Sequence, residues 1–236
     1  LSSPFCIDSF NLLRKFNLDF IKIPSGEITN LPLLRHIRNF NNNIILSTGM
    51  SNVHEIKNAL KILKNKNRKI ILLHCNTEYP TPIFDINLNA MQALKKKFKL
   101  EVGYSDHSLG TQVPVIAASL GAKVIEKHFT ISKKMVGPDH VASLNPKELI
   151  SMVKAIRTTE IILGKSEKFV SNSEKKNLLI ARKSLFAACD IKKGEKFSLN
   201  NLVCLRPGSG ISPINIDQVC KRKAKKNILK GQLIKI

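Results

Sequence analysis

Two histidines, 21 residues apart, each follow a short apolar run of the chain. His107 ends the sequence Gly-Tyr-Ser-Asp-His, and His128 ends Val-Ile-Glu-Lys-His. If both runs are parallel strands joined by one helix, the histidines lie at the carboxyl ends of neighbouring strands, where barrel enzymes place their catalytic groups. Neutral imidazoles bind divalent transition metals, with oxygen ligands completing the shell. Either histidine alone is typical of an ordinary loop, but the pair, with carboxylates nearby, predicts a metal site.

Polar clusters also follow the other apolar runs. Residues 22–27 supply an ammonium, a hydroxyl and a carboxylate, residues 47–51 supply hydroxyls at a helix start, and residues 74–82 follow a third run. Backbone N–H groups at a helix start can hold an anion. Each cluster taken singly is more typical of a cap or a stiff turn than of catalysis. Their shared position at the ends of strands favours one common site.

Strand-like runs alternate with helical patterns through the first 163 residues. The predicted strands are residues 20–23, 44–46, 70–73, 100–104 and 122–125. Alternation of this kind predicts a parallel sheet covered by helices.

Three residues mark where the helices between and after these strands begin and end. Ser51 is the predicted N-cap of one helix. Asn145, followed by proline at the first helical position and glutamate at the third, predicts the start of another helix, which Gly164 ends.

The number of strand–helix units distinguishes two α/β folds. Five units are visible, and residues 1–5 resemble the end of a sixth strand, whereas a closed barrel has eight. An open, doubly wound sheet needs no further strands, but the chain has no glycine-rich dinucleotide motif, and polar clusters follow every strand. We therefore predict a (β/α)8 TIM-type barrel that lacks its first two to three strand–helix units.

The formal net charge of +22 on 236 residues raises the question of a nucleic-acid partner. The chain has no Trp and only two Tyr, so aromatic platforms for bases are scarce. Lysines are mixed with asparagine, as in residues 64–69, and the dense run 221–226 is predicted to be a solvated face. We expect no nucleic-acid partner, and the excess charge attracts an anionic substrate over a long range.

The apolar runs and the cysteines indicate the compartment. No apolar run reaches the roughly 18 residues of a membrane span, so we expect no membrane association. The five cysteines are scattered and form no Cys-x-x-Cys pair. This pattern indicates a reducing compartment, and we expect the cytoplasm.

Five motifs in a fixed order give the chain a family resemblance. They are Lys-Ile-Pro-Ser-Gly-Glu, Leu-Ser-Thr-Gly-Met, Leu-His-Cys-Asn-Thr-Glu-Tyr-Pro-Thr-Pro, Gly-Tyr-Ser-Asp-His and Glu-Lys-His-Phe-Thr. In this order they resemble the sialic acid synthase family, and the resemblance extends from Ser3 to the end of the chain. It implies condensation of phosphoenolpyruvate with an N-acylated hexosamine to a nine-carbon 2-keto acid and phosphate, with a divalent metal, Mn²⁺ or Mg²⁺.

The expected activity is therefore the synthesis of N-acetylneuraminate (sialic acid) from N-acetylmannosamine. Two alternatives stay open. One is a legionaminate or pseudaminate synthase of the same family, and the other is an inactive or purely binding fragment of such an enzyme.

The resemblance also implies roles for individual residues. His107 and His128 are the implied metal ligands, where the metal polarises the sugar aldehyde, and Glu27 manages the proton of the attacking water. Two roles are about equally favoured for Glu126: it orients a metal ligand or a substrate group, or it forms a structural ion pair with a lysine of the barrel. The implied substrate contacts are Ser3, Lys22, Ser25, Ser47, Asn76, Thr77, Tyr79, Ser105 and Asp139. Members often have asparagine where this chain has Thr77, so both Asn76 and Thr77 are candidates.

After residue 163 the pattern changes to short β-like pieces and turns. Residues 1–163 are the predicted partial barrel, residues 164–176 a polar linker, and residues 177–236 resemble the antifreeze-like (SAF) domain of these synthases. In the family this domain covers the barrel of the partner subunit and presents an arginine to the sugar. The matching residue is Arg206, and the resemblance implies a domain-swapped homodimer.

Overall fold

The computed structural model describes residues 1–65 and 67–236. Lys66, in the lysine- and asparagine-rich stretch, lies outside the described residues. The chain divides into two compact units, Leu1–Gly164 and Lys165–Ile236. Each unit is described below by itself.

The first unit is a parallel sheet of five strands in the order β1-β2-β3-β4-β5, so that each strand pairs with the next one in sequence. The strands are β1 Phe20–Ile23, β2 Asn43–Ser47, β3 Ile70–Cys75, β4 Glu101–Asp106 and β5 Ile125–Lys127. The helices are α1 Ile7–Arg14, α2 Leu31–Arg38, α3 Val53–Leu63, α4 Asn89–Phe98, α5 Gln112–Ser119 and α6 Pro146–Leu163. The predicted α/β class and its parallel strand–helix units are confirmed, and sequential parallel pairing is the strand order of a TIM-type barrel.

The strand boundaries differ from the prediction mainly at β5. The predicted strand 122–125 lies three residues too early, because the regular ladder begins at Ile125. The preceding residues already bond to β4, since Lys123 N donates to the Val102 carbonyl and Tyr104 N donates to the Val124 carbonyl. Near the start of the chain, Ser2 forms a parallel bridge with Ile21 beside β1, in the segment whose sequence resembled a strand end.

Side-chain alternation gives the sheet two distinct faces. One face packs against the helices and supplies most of the core, including Ile21, Leu46 and Leu72. The opposite face has a small apolar cluster of Ile45, Ile71 and Leu73. Residues of this second face lie level with one another across the strands and become polar toward the carboxyl ends.

The starts of α3 and α6 follow the capping chemistry of the sequence, with one correction at α3. The predicted cap Ser51 is wrong by one residue: Asn52 is the N-cap of α3, and its Oδ1 accepts hydrogen bonds from the backbone N–H groups of His54 and Glu55. Glu55 Oε2 accepts from Asn52 N, which completes a capping box that has its acidic residue three positions after the cap. The predicted start of α6 at Asn145 and its end at Gly164 are confirmed.

The second unit contains helix α7 (Asn172–Ala181), the antiparallel pair β6 (Ser184–Ala187) and β7 (Leu202–Leu205), and the short helix α8 (Ile216–Cys220). Its core is a separate apolar cluster that includes Leu185, Phe197 and Ile234. Part of the predicted linker is helical, because Ser171 and Glu174 form a capping box that starts α7. Among the helices of residues 1–65 and 67–236, none is long and apolar enough to cross a membrane.

Candidate active site

The polar ends of the strands surround a cavity of about 430 Å³ in the first unit. Nine of the residues predicted to act in a site line it: Ser3, Lys22, Ser25, Ser47, Thr77, Tyr79, Ser105, His107 and His128. Glu126 lines it as well. The prediction that the strand-end clusters converge on one concave site is therefore confirmed geometrically.

A buried cation lies at the base of this cavity. The side chain of Lys22 is only 8% exposed, and its Nζ lies 3.0 Å from Glu126 Oε1. The same carboxylate oxygen accepts a 2.6 Å hydrogen bond from Ser105 Oγ. Ser105 is level with Glu126 across β4 and β5, so both side chains reach the same face of the sheet. An ammonium paired with one partly exposed carboxylate can exchange that partner for an anionic ligand.

The loop after β2 supplies polar groups without a bulky side chain in the way. Ser47 is 2% exposed, and its Oγ has no hydrogen-bond partner among the described residues. Gly49 N donates to Ser25 Oγ at 3.0 Å. A Cβ at Gly49 would lie within 3 Å of side-chain atoms of Thr77, Cys75 and Ser25, so only glycine fits there. A buried hydroxyl left unpaired is costly, so this loop is suited to a polar ligand.

Cys75 is a lining residue that the sequence motifs did not single out. Its thiol is buried, and its Sγ lies 3.1 Å from Ser25 Oγ. Alternation along β3 would have indicated it, because Cys75 is two residues after Leu73 and therefore shares its face. Cys75 is one of the groups that hold the Ser25 hydroxyl in place.

The two predicted metal-binding histidines lie side by side at the edge of the cavity. The ring centroids of His107 and His128 are 5.3 Å apart, with the rings nearly perpendicular. The Tyr79 ring covers both, at 4.1 Å from His107 and 5.0 Å from His128. Burial raises the pKa of Tyr79, and the nearby Cys75 and carboxyl groups act in the same direction. Tyr79 therefore remains a neutral phenol that shields the imidazole pair.

A backbone contact fixes the orientation of His107. Its Nδ1 faces the carbonyl oxygen of Asn76, which can only accept, so Nδ1 carries the proton and donates it. Burial lowers the pKa of His107 below its usual value, the Asn76 carbonyl opposes that shift, and His128 adds to it. His107 Nε2 is left with its lone pair and lies 3.4 Å from Ser105 Oγ.

A buried ion pair lies directly behind the histidines. Lys127 Nζ is 2.6 Å from Asp106 Oδ2, and the two side chains are 3% and 0% exposed. Ser108 donates to Asp106 Oδ1 through both its backbone N–H, at 2.9 Å, and its hydroxyl, at 2.7 Å. Each member of the pair immediately precedes one of the histidines, so alternation directs it to the opposite face of the sheet.

Three predicted residues of the first unit are not among those lining the cavity. Glu27 follows the lining residue Gly26, and its Oε2 accepts a 2.6 Å hydrogen bond from Asn30 Nδ2. Asn76 Oδ1 accepts from Glu78 N within a turn, so Thr77 and not Asn76 presents its side chain to the cavity. Asp139 lies beside the cavity, with its Oδ2 3.8 Å from His128 Nδ1.

Arg206 and the basic run 221–226 belong to the second unit. Arg206 is exposed, and its Nε donates to the Ala181 carbonyl at 3.0 Å. The cationic side chains of residues 221–226 are exposed, as predicted, whereas Ala224 within that run is buried in the core of the unit.

The donor set around the histidines fits a divalent transition metal. Two imidazoles face one cavity, and a backbone carbonyl holds the outer nitrogen of one of them, as is usual for histidine ligands. Within the part of the chain that the structure describes, no cluster of three or more His, Cys, Asp or Glu side chains could enclose an ion. The remaining ligands would therefore be oxygens of water or substrate, and two nitrogen ligands suit Mn²⁺ better than Mg²⁺.

Comparisons with known proteins find relatives for both units of the chain. A family model described as the NeuB family matches residues 1–168, and one for the SAF domain matches residues 182–236. The chain is 52% identical over 238 residues to an N,N'-diacetyllegionaminic acid synthase of Campylobacter jejuni, covering 100% of this chain and 71% of that protein. It is 36% identical over 157 residues to the human N-acetylneuraminate-9-phosphate synthase, covering 66% of this chain and 44% of that protein.

A solved structure is similar in fold and in sequence. The N-acetylneuraminic acid synthetase of Leptospira borgpetersenii, in complex with citrate, gives a TM-score of 0.69 at 37% identity. The match covers 75% of this chain and 62% of the Leptospira chain. This chain thus spans roughly two thirds of the length of the Campylobacter and Leptospira proteins.

Proposed function

This chain belongs to the NeuB family, and we propose that it condenses phosphoenolpyruvate with an N-acylated hexosamine to give a nine-carbon 2-keto sugar acid and phosphate. Family membership confirms the resemblance to sialic acid synthases that the ordered motifs predicted. The proposal depends most on one observation: a buried ammonium, an unpaired buried hydroxyl and a pair of imidazoles line the same cavity.

The cavity suits phosphoenolpyruvate, which carries a phosphate and a carboxylate. Lys22 supplies the positive charge, and Ser47 supplies a hydroxyl that has no other partner in the described chain. Ser3, Ser25 and Thr77 line the same space and add hydrogen-bonding groups. Hydrogen bonds to charged groups are roughly twice as strong as those between neutral groups, so this set supports binding of a substrate with two anionic groups.

His107 and His128 would hold the divalent ion, which supplies Lewis-acid polarisation of the sugar aldehyde when bound. The chain itself prepares both imidazoles for this. The Asn76 carbonyl keeps the Nε2 lone pair of His107 free. Tyr79 covers the two rings and reduces their contact with water.

Two carboxylates serve different purposes in this proposal. Glu126 already accepts hydrogen bonds from Lys22 and Ser105 through one oxygen, which suits a group that holds others in place. The Glu27 carboxylate accepts from Asn30 Nδ2 through Oε2, and its Oε1 has no hydrogen-bond partner in residues 1–65 and 67–236. Glu27, next to the lining residue Gly26, accepts the proton of the water that attacks C2 of phosphoenolpyruvate.

The acceptor sugar has two candidates. N-acetylmannosamine is the acceptor expected from the sequence motifs, and the product would then be N-acetylneuraminate. The 52% identity to an enzyme named for N,N'-diacetyllegionaminic acid favours an acceptor with two N-acetyl groups. The half-exposed Asp139, beside His128, is the residue of the first unit proposed to bond the sugar.

A steady-state assay tests this proposal. The protein is incubated with phosphoenolpyruvate and each candidate hexosamine, with Mn²⁺ or with a chelator, and phosphate release and product mass are followed. We expect metal-dependent phosphate release together with a nine-carbon 2-keto acid. Phosphate release without a condensation product, or no reaction with any N-acyl hexosamine, would reject the proposed activity.

The proposed assembly is a homodimer in which Arg206 reaches the sugar in the partner's barrel. Arginine offers a planar fork for an N-acyl carbonyl, which lysine reproduces poorly. Lys22→Met and Arg206→Lys should each lower activity, and the two variants, unfolded together and refolded as a mixture, should regain part of it, because mixed dimers contain one intact composite site. Mixtures as inactive as either variant alone would exclude sites shared between subunits.

A further inference from the structure

We propose that the buried ion pair between Asp106 and Lys127 is a positioning device for the two histidines, an inference that rests on the proposed metal-dependent function. The pair lies one residue before His107 and one residue before His128, on adjacent strands. Neither Asp106 nor Lys127 lines the cavity, so neither touches the substrates. The two residues act through the segments that follow them.

The register of β4 and β5 shows how this coupling works. Ser105 pairs with Glu126, and Asp106 pairs with Lys127, as Cα partners of the parallel ladder. Alternation sends the first pair to the cavity, the second pair behind it, and the histidines that follow to the cavity again. The ladder ends at the Asp106–Lys127 pair, so the ion pair joins the two strands at the last ladder position before the histidines.

The contacts of Asp106 fix the chain on both sides of His107, at residues 106 and 108. Its Oδ2 binds Lys127 Nζ at 2.6 Å, and its Oδ1 binds the backbone N–H and the hydroxyl of Ser108. Lys127 Nζ also donates to the Ser108 carbonyl. Residues 106 and 108 are therefore both held to the residue that precedes His128, and the intervening His107 has little freedom to move away from its partner.

Burial gives these contacts their rigidity. Asp106, Lys127 and Ser108 are almost completely removed from solvent. In such surroundings an ion pair tolerates little change of geometry, because each charge loses its oppositely charged partner when the other moves. The exposed pair Lys69–Glu101, at the other end of β4, has side chains 53% and 42% exposed and is free to rearrange.

A fold-stabilising role alone makes a different prediction from a positioning role. Replacing a buried ion pair by apolar residues of similar volume often preserves or increases stability. The double variant Asp106→Leu/Lys127→Met should therefore stay folded, but it loses the directional contacts to Ser108. If the pair only stabilises the fold, this variant keeps its affinity for metal. If the pair positions the histidines, the affinity falls while the melting temperature does not.

The experiment measures binding of Mn²⁺ alone, without substrates, by the electron paramagnetic resonance signal of free Mn²⁺, and thermal unfolding of the metal-free protein in parallel. We expect the double variant and Asp106→Asn to bind Mn²⁺ about 10- to 100-fold more weakly, the loss usual when groups that orient a metal ligand are removed. Glu101→Gln is the matched control on the same strand and should bind as the wild type does. Wild-type affinity in a folded double variant, or an equal loss in Glu101→Gln, overturns the proposal.

A second variant keeps the test informative if the double variant does not fold. Ser108→Ala removes one donor to Asp106 and leaves no charge unpaired, so it should weaken Mn²⁺ binding with little change in melting temperature. Unchanged Mn²⁺ affinity in Ser108→Ala then overturns the proposal. A wild-type protein that binds no Mn²⁺ rejects the metal site and this inference together. Normal Mn²⁺ binding and turnover in every variant rejects only the inference.

Discussion

The ammonium of Lys22 lies 3.0 Å from the carboxylate of Glu126 inside the candidate site. The cation that would bind phosphoenolpyruvate therefore has an internal anionic partner within the described chain. An incoming phosphate or carboxylate has to compete with Glu126 for the same ammonium. This competition gives the two residues opposite effects on substrate binding.

Lys22→Met should weaken binding of phosphoenolpyruvate about 10- to 100-fold, because hydrogen bonds to charged groups contribute about 1.5–3 kcal/mol. Glu126→Gln should leave binding unchanged or make it tighter, because it removes the competing negative charge. Isothermal titration with phosphoenolpyruvate measures both Kd values. Lys69→Met is the control, since Lys69 is an exposed lysine that also pairs with a glutamate. Equal weakening in Lys22→Met and Glu126→Gln would contradict the competition.

Ser47→Ala should affect stability and binding in opposite directions. Its buried hydroxyl has no partner among the described residues, and an unpaired buried polar group costs about 1–3 kcal/mol. Removing that hydroxyl should raise the free energy of unfolding of the ligand-free protein, yet weaken phosphoenolpyruvate binding about 10-fold or more. Denaturant unfolding and calorimetric titration provide the two measurements.

The neighbouring Thr48 is the control for this substitution. It is also buried, but its Oγ1 donates to the Leu73 carbonyl at 2.9 Å. Thr48→Val keeps the shape, loses a satisfied hydrogen bond and should lower the free energy of unfolding. A destabilised Ser47→Ala protein would show that the Ser47 hydroxyl has a partner in solution.

Glu27→Gln should lower kcat about 10²- to 10⁴-fold, the usual contribution of a general base. The KM for phosphoenolpyruvate should change little, because Glu27 does not line the cavity. Steady-state kinetics at saturating metal separate the two constants. Asn30→Ala is measured in the same assay, because the Asn30 side chain holds the Glu27 carboxylate through a 2.6 Å hydrogen bond. A Glu27→Gln protein with normal kcat would transfer the proton role to another group.

Alternation along the strands made much of this site predictable. Ser105 and His107 are two residues apart, as are Glu126 and His128. If both segments are strands, all four side chains therefore lie on one face of the sheet. Asp106 and Lys127 were missed because a charged residue between two functional ones looks like an ordinary solvent-facing position. The detectable signal was their opposite charge at equal distances before the two histidines. Burial of both charges is a tertiary property, since helices cover that face of the sheet.

Local capping chemistry predicted helix boundaries better than it predicted contacts inside the site. Asn145 and Gly164 delimit α6 as expected, whereas the predicted cap Ser51 was wrong because Asn52, the next residue, has an acid three positions later. The choice between Asn76 and Thr77 depended on a turn in which Glu78 N bonds Asn76 Oδ1. Such a turn is set by the whole loop, and spacing alone does not identify it.

The stability of the first unit should fall as the pH is lowered from 7 to 5. Burial lowers the pKa of His74, although its hydrogen bond to the Ile86 carbonyl opposes the shift. Between that lowered pKa and the ordinary value of 6.5, the unfolded chain binds more protons than the folded one. The free energy of unfolding therefore rises with pH across this window and declines on acidification.

His74→Gln should reduce this pH dependence, because glutamine can donate to Ile86 but does not titrate. Urea unfolding at several pH values between 5 and 8 measures the slope. His54→Gln, at an exposed position of α3, is the control for replacing a histidine by glutamine. A His74→Gln protein with the full wild-type slope would assign the effect to other groups.

The acceptor that orients His107 is the main-chain carbonyl of residue 76. A carbonyl oxygen is present whatever side chain a codon specifies, so no single substitution at position 76 deletes this contact. Random mutagenesis would therefore identify position 76 as tolerant, even though the orientation of the His107 imidazole depends on its carbonyl oxygen. The dependence would emerge only from changes that reroute the loop, such as an insertion or deletion between Cys75 and Pro80. Length variation in this loop, more than its composition, is therefore the feature to compare among related enzymes when asking whether they orient this histidine in the same way.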